Sequence, residues 1–382
     1  MGVRLKNTAY LAVILLTISC PRASADEILE ETGFLYETIA GQQLFEIDGS
    51  SNLNCSIKII SRQTDRVKIS FKKTAGTPSR SESARFLDLI GFKLSVKDDR
   101  AVFSILSPSQ APWQGSNRKV FVDILVELPE KMRISGRTKY TGFVIEGPFQ
   151  GVDLRSTYSN LDLRRIFGPV DATTSFGDIK VEAIRGEIRA ETESGKIIAS
   201  DLVVPSGYAL FETSNATIDL KNIQGHLEAY TSHAAITASN IDARDGSVVL
   251  RTSHSPVDIR NITGELICET SYDPITIANA DINHGQPRIE TRHAPITAEF
   301  SNISNCELYI ATEYNNVILT VPADISARII AGVGEGGRIK TSNLSLTPTV
   351  LDRTRLEAVA GDGDSKIEVS VGDIGSIAIN GR

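Results

Sequence analysis

The sequence predicts an all-β fold, a parallel β-helix or β-solenoid of about nine regular coils with irregular capping segments, and three observations predict it. One short phrase recurs nine times between Leu154 and Leu319, as in ATTSFGDIKV, AETESGKIIA, AYTSHAAITA and IETRHAPITA. Its anchor hydroxyls are Ser156, Thr174, Thr192, Thr213, Thr231, Thr252, Thr270, Thr291 and Thr312, spaced 18 or 21 residues apart, and a period of that size belongs to stacked-repeat architectures. Counted from each anchor, the −4 and −2 columns are aliphatic, as in Leu227 and Ala229 or Val248 and Leu250, which marks a strand with one buried face. The +5 column is aliphatic in every repeat, from Leu161 through Ile236, Val257, Ile275 and Ile296 to Val317. Positions −2 and +5 differ in parity, so one straight strand cannot bury both and a turn must separate them.

The elements follow in chain order. Residues 1–25 read as a signal peptide: Arg4 and Lys6, an apolar run from Ala9 to Ile18 too short to span a bilayer comfortably, then Ala23-Ser24-Ala25 as a cleavage site. A rival reading places a lipid anchor on Cys20, although Thr17 and Pro21 fit a lipoprotein box poorly. Residues 26–149 form a β-rich N-terminal cap, with strands over LFEID, SIKIIS, DRVKISFK, FKLSVKD, AVFSIL and VFVDILVELP at irregular spacing. One helix is expected over Ser81 to Ile90, with Ala84, Leu87 and Ile90 on one face. Pro108 to Asn117, around Trp113, reads as an exposed loop.

Residues 150–322 are the regular coils. Turn chemistry stands at +3 and +4, as in Gly177-Asp178, Ser255-Pro256 and Asn315-Asn316. A third side is marked at +10 by Ile166, Ile184, Leu202, Ile223, Ile241 and Ile262, followed by glycine at +12 in four coils. Residues 323–382 supply C-terminal coils and a cap, in which RLEAVAG, SKIEVSVG and GSIAIN finish the stack. Such a cap is needed because an open edge invites end-to-end association, for which Ser376 to Asn380 is the candidate segment.

Hydrophobic residues make up 41% and aromatics 6% of the chain, which suits a narrow aliphatic core. Formal charge is −7, and removal of the leader's Arg4, Lys6 and Arg22 takes it to −10. An acidic mature chain with no transmembrane span argues against nucleic acid or anionic membrane as partner. Cys55, Cys268 and Cys306 remain after soluble cleavage, an odd number without zinc-type spacing, with Cys268 in a buried repeat column and Cys306 too far along the stack to bridge it.

The +2 column holds Tyr158, Phe176, Ser194, Asn215, His233, His254, Tyr272, His293 and Tyr314. Coils ~4.8 Å apart make it a ladder of stacked rings at a corner. A groove that stacks sugars or peptides is the functional alternative. A metal site would find two nitrogens at best, so no metal, cofactor or catalytic residue is expected. His226 and His284 read as solvated turn residues. The anchor hydroxyls lack a repeating His-Asp partner and are expected to hydrogen-bond one another or the backbone.

Taken together, the leader, LFEIDGSSNLNCSIKII, VFVDILVELP, the coils and the closing GDGDSKIEVSVGDIGSIAING resemble the bacterial "putative adhesin" family, a domain of unknown function with β-strand repeats. The resemblance covers most of residues 40–382. It implies an exported β-solenoid of the periplasm or cell surface, without established catalysis or cofactor, whose partner would be a glycan, cell-wall or surface-protein ligand. This chain departs from the family's repeat in often replacing the turn glycine. The alternative is a β-helix polysaccharide lyase or hydrolase acting through Asp219 or Asp258. Coils of uniform length, without the long loops that wall a cleft, argue against it.

Overall fold

A computed structural model describes residues 14–16, 27–39, 41–49, 52–114 and 118–382 of the chain. The expected leader and Cys20 lie outside the described residues apart from the short strand Ile14–Leu16, and so does the end of the expected loop at 115–117. The protein is an all-β solenoid: among the described residues the regular elements are strands apart from one helix, Arg80–Asp88. It divides into two compact units, Met1–Ile184 and Arg185–Arg382.

In the first unit Gly151–Arg155 lies between Val170–Thr174 and Arg133–Thr138, parallel and in register with both. Leu161–Arg164 lies likewise between Ile179–Glu182 and Thr141–Glu146. The coil register therefore begins one turn upstream of the first repeat recognised in the sequence. Ile134, Gly136, Thr138, Tyr140 and Phe143 occupy its −4, −2, 0, +2 and +5 positions. Gly136 hides this coil from a search for aliphatic columns. A Cβ there would stand 3.0 Å from Leu154 Cδ2, so the large neighbour takes the space of the missing side chain.

Chain order is not stacking order. Leu44–Gly49 pairs in parallel with Arg133–Thr138 on one edge and with Arg100–Leu106 on the other. Asn54–Arg62 is held in the same way between Thr141–Glu146 and Lys119–Pro129. The earliest coil of the unit is thus inserted between two later ones. Antiparallel strands complete this end: Glu27–Thr38 pairs with Arg66–Thr77, which also pairs with Lys119–Pro129, and Gly91–Lys97 pairs with Arg100–Leu106.

The helix starts at Ser79, whose hydroxyl caps Glu82 N–H at 3.3 Å, two residues before the expected serine. It buries Ser83, Phe86 and Leu87, with Ala84 only half-buried, because Ser83 Oγ is drawn in to Glu27 O at 3.1 Å and Thr77 Oγ1 at 2.9 Å. The expected exposed loop is corrected in part: Trp113 is 7% exposed and meets Phe86 edge-on at 5.6 Å. A helix docked over this segment gives the indole an apolar partner that composition does not reveal.

In the second unit the +5 column forms one row. Ile236, Val257, Ile275, Ile296 and Val317 are register partners in successive coils, all fully buried. The −2 column does the same through Phe211, Ala229, Leu250 and Cys268. Phe211 stands between Ala190 and Ala229, so a large side chain is accommodated by small ones in both neighbouring coils. On the third side Gly264 has φ +114, and a Cβ there would meet Ala243 O at 2.2 Å, so glycine is required by both backbone and space.

Of the three C-terminal segments expected to finish the stack, RLEAVAG lies at its end, but SKIEVSVG and GSIAIN are inserted between coils. Ser365–Val371 pairs in parallel with Glu307–Thr312 on one edge and Ala327–Val333 on the other. Ile377–Gly381 is held between Val317–Val321 and Ile339–Ser342. The candidate segment for end-to-end pairing is therefore occupied along both edges. Beyond Ala327–Val333 the strands run antiparallel, Arg355–Ala360 against it and Thr347–Leu351 against Arg355–Ala360.

Candidate functional site

Each anchor hydroxyl sits where the chain turns from the −2 strand to the +5 strand. Thr213, Thr231, Thr252, Thr270, Thr291 and Thr312 are buried. Each donates to the carbonyl of the +3 residue one coil earlier, as Thr213 to Gly195 O at 3.1 Å, Thr252 to Ala234 O at 3.3 Å and Thr312 to Ala294 O at 3.1 Å. Ser156 and Thr174 do the same in the first unit. The column binds backbone to backbone between coils, and its oxygens are committed to that role.

Two residues on, the backbone N–H of the +2 residue donates to the +1 carbonyl of the preceding coil, as His233 to Ser214 O at 3.1 Å and His293 to Ser271 O at 2.9 Å. Successive side chains are thereby set one strand spacing apart. In the second unit His233, His254, Tyr272, His293 and Tyr314 form a stacked column with centroid separations of 5.2, 4.8, 4.9 and 5.0 Å and interplanar angles of 14° or less. In the first unit Tyr158 and Phe176 stack at 5.2 Å, and Tyr140 adds a ring 5.1 Å before Tyr158. Sequence reasoning missed Tyr140, although it lies 18 residues before Tyr158 and two after Thr138.

All seven expected ring residues are exposed, but stacking determines what they expose. A ring between two others has both faces covered and presents only its edge. Stacking of sugars along the column is thus blocked, and what solvent meets is a line of imidazole and phenol edges. Among the described residues no group of three or more His, Cys, Asp or Glu side chains is placed to hold a metal ion.

A groove of about 550 Å³ runs along the second unit over the anchor threonines from Thr231 to Thr312. It exists because the chain bends at the anchor, so the −1 and +1 side chains diverge and leave a channel over position 0. Tyr230, Arg251, Glu269 and Glu290 line one wall, and Ser253, Ser271, Arg292 and Glu313 the other. Ser370 and Gly372, from the inserted C-terminal segment, complete one end.

Both arginines in it are paired with a glutamate of the next coil. Arg251 reaches Glu269 with two nitrogens, at 2.9 and 3.4 Å, and lies 5.9 Å from the Tyr230 ring centroid. Arg292 stands 3.4 Å from Glu313. The hydrogen bonds that Arg251 donates to the Glu269 carboxylate raise its pKa further. Burial, reinforced by the hydrogen bond to Glu228 at 2.8 Å, raises Tyr230 and keeps its phenol protonated. The groove is therefore polar, nearly balanced in charge and rich in donors.

The remaining sequence candidates lie elsewhere. Asp219 and Asp258 flank Thr237 on the outward +6 column, two strand spacings or ~10 Å apart, and neither lines the groove. His226, expected to be solvated, is half-buried: Nε2 is 3.1 Å from Glu228 Oε1 and Nδ1 3.1 Å from Ser247 Oγ. His284 Nδ1 is 2.7 Å from Asn283 Oδ1. Cys55, Cys268 and Cys306 are free and buried. Burial pushes the Cys55 thiol up to about 12 and Cys306 up to about 11, and raises Cys268 as well.

A further column, at +9, escaped the sequence reading. Asp201, Asn222, Asn240, Asn261 and Asn279 all have left-handed backbone, with φ between 53° and 61°. Each asparagine amide donates to the carboxylate or amide oxygen one coil earlier at 2.8 or 2.9 Å. Asparagine tolerates this conformation better than other residues with a Cβ, and its side chain extends the ladder.

Comparison with solved structures finds similar chains. A "putative cell adhesion protein" from Clostridium sporogenes is 11% identical, with 92% of this chain and 100% of that chain covered and a TM-score of 0.20. A "putative adhesin" from Bacteroides fragilis is 10% identical over 91% and 96% of the two chains, with a TM-score of 0.21. A "putative lipid binding protein" from Parabacteroides distasonis is 12% identical over 91% and 96%, with a TM-score of 0.23. TM-scores this low carry no function across, so the groove's own chemistry must decide. No family model and no curated protein matches the chain. Among the described residues no helix is long and apolar enough to cross a membrane.

Proposed function

We propose that the protein is an exported, non-catalytic, adhesin-like binding module of the periplasm or cell surface that holds a glycan chain along the groove over its anchor threonines. The observation that supports this most is the groove itself. Six coil positions, from Tyr230 to Ser370, span about five strand spacings or ~24 Å of continuous polar wall. Its Arg, Glu and Ser side chains recur at the strand spacing, offering donors and acceptors to hydroxyls arrayed along a polymer. Paired charges favour a neutral, hydroxylated ligand over a strongly charged one. The ring edges of the neighbouring +2 column add imidazole and phenol groups beside it. Catalysis is not part of the reading, because the groove gathers no carboxylate held apart from its cationic partner at a bond to be cleaved.

An array of neutral glycans and cell-wall fragments, probed with the full chain, tests this. Saturable retention is expected, weakened at least about tenfold when Arg251 and Arg292 are both replaced by alanine, a loss of ~1.4 kcal/mol or more. Absence of retention, or retention indifferent to both replacements, would remove the groove from the reading.

A further inference from the structure

A stacked column has two outer faces, and one of them belongs to Tyr140. It begins the first unit's column among the described residues, so one face is covered by Tyr158 and the other is not taken by a ring. Tyr140 also lines a pocket of about 510 Å³, which lies in the first unit and is separate from the groove described above. Phe121, 39% exposed, and Trp113 bring two further aromatic side chains to the same pocket. The rest of the lining is amide and cation: Asn52, Asn54 and Gln114, with Arg118 and Lys119.

The electrostatics are one-sided. Among the described residues no Asp or Glu lines the pocket. Arg118 is held by Glu82 at 2.8 Å. Lys119 is exposed, and Lys139 Nζ stands 5.2 Å from the Tyr140 centroid. Aromatic surface next to side-chain amides suits a pyranose, whose C–H face packs on a ring while its hydroxyls pair with Asn and Gln. Lysine charge at the rim suits a carboxylate on that sugar.

We propose that this pocket binds a carboxylated sugar unit, a uronic acid within a glycan, with its apolar face on Tyr140 and Phe121 and its carboxylate toward Lys119. This site does not depend on the groove reading. The two are distinguishable, because Trp113 is the sole tryptophan in the sequence and lines this pocket and not the groove.

The test is titration of the full chain with glucuronic acid and a short uronic-acid oligosaccharide, read by tryptophan emission and by calorimetry. Glucose and inorganic phosphate serve as controls. A saturable emission change is expected with both uronates at millimolar affinity or better, on the order of −4 kcal/mol. Lys119→Gln should weaken uronate several-fold and leave weak glucose binding unchanged. Tyr140→Leu should weaken both sugars, with unchanged far-UV circular dichroism as the control for folding. Equal emission changes with phosphate would reduce the site to a generic anion pocket and overturn the proposal. So would uronate binding indifferent to Lys119→Gln, or no saturable response to any uronate.

Discussion

Replacement of Asn240 separates two contributions that the asparagine column combines. Its φ is 56°, its amide donates to Asn222 Oδ1 at 2.9 Å, and its own oxygen accepts from Asn261 at 2.9 Å. Alanine forces a Cβ-bearing residue without a compensating side chain into left-handed backbone, costing about 1 kcal/mol, and removes two exposed hydrogen bonds worth roughly 0.5 kcal/mol each. Asn240→Ala should therefore lose about 2 kcal/mol, whereas Asn240→Gly, which keeps the conformation at ease, should lose about 1 kcal/mol. In a unit of this size these losses correspond to midpoints lower by roughly 4–8 °C and 2–4 °C. Thermal unfolding followed by circular dichroism measures both. Hydrogen exchange at Asn222, Asn240 and Asn261 tests whether the loss is local, as expected where each coil touches only its neighbours. Equal losses for alanine and glycine would refute the conformational part of the reasoning. A glycine variant as stable as the parent would refute the value assigned to the ladder.

Three other outcomes are expected. Thr252→Val removes the bond to Ala234 O while keeping the volume, and should lower stability by about 1 kcal/mol in urea unfolding; an unchanged midpoint would deny the anchors their stitching role. Deletion of Ser365 to Arg382 withdraws buried Ile367, Val369, Ile377 and Ile379 and bares four strand edges, on Glu307–Thr312, Ala327–Val333, Val317–Val321 and Ile339–Ser342. The truncated chain should run as larger oligomers than the parent or aggregate in gel filtration, and a peptide spanning 361–382 should restore the parent's profile. The thiols of Cys55, Cys268 and Cys306 should resist a disulfide reagent at pH 8 and react fully in denaturant. Because burial raises Cys55 from its ordinary 9.0 to about 12, the stabilisation is present below pH 9 and is lost as pH rises from 9 toward 12. Unfolding midpoints across that window would check the sign.

Column identity was legible in the chain because each coil repeats the same local problem. The same turn must place an aliphatic side chain inward at −2 and again at +5, so Ile236, Val257, Ile275 and Ile296 announced their common row by spacing alone. The +2 ring register was legible for the same reason. The +9 asparagines recur at the same spacings, but a polar column facing outward lacks the apolar alternation that marks a buried face. The Arg133–Thr138 coil was hidden by Gly136, which replaces an expected apolar side chain with space for Leu154.

By itself, then, the sequence determined the coil, its inward columns, its anchor hydroxyls and the line of rings at one corner, because these depend on residues close in the chain or at a fixed repeat. Tertiary structure alone decided the placement of Leu44–Gly49 and Ser365–Val371 between coils that are not their chain neighbours. A parallel edge accepts any strand of matching pattern, and which strand it receives depends on packing at the unit's end. Tertiary structure also decided that the rings show edges, that a groove opens over the anchor threonines, and that Trp113 turns in against Phe86. Each of these is a matter of which surface a neighbouring element covers, and no local spacing encodes it.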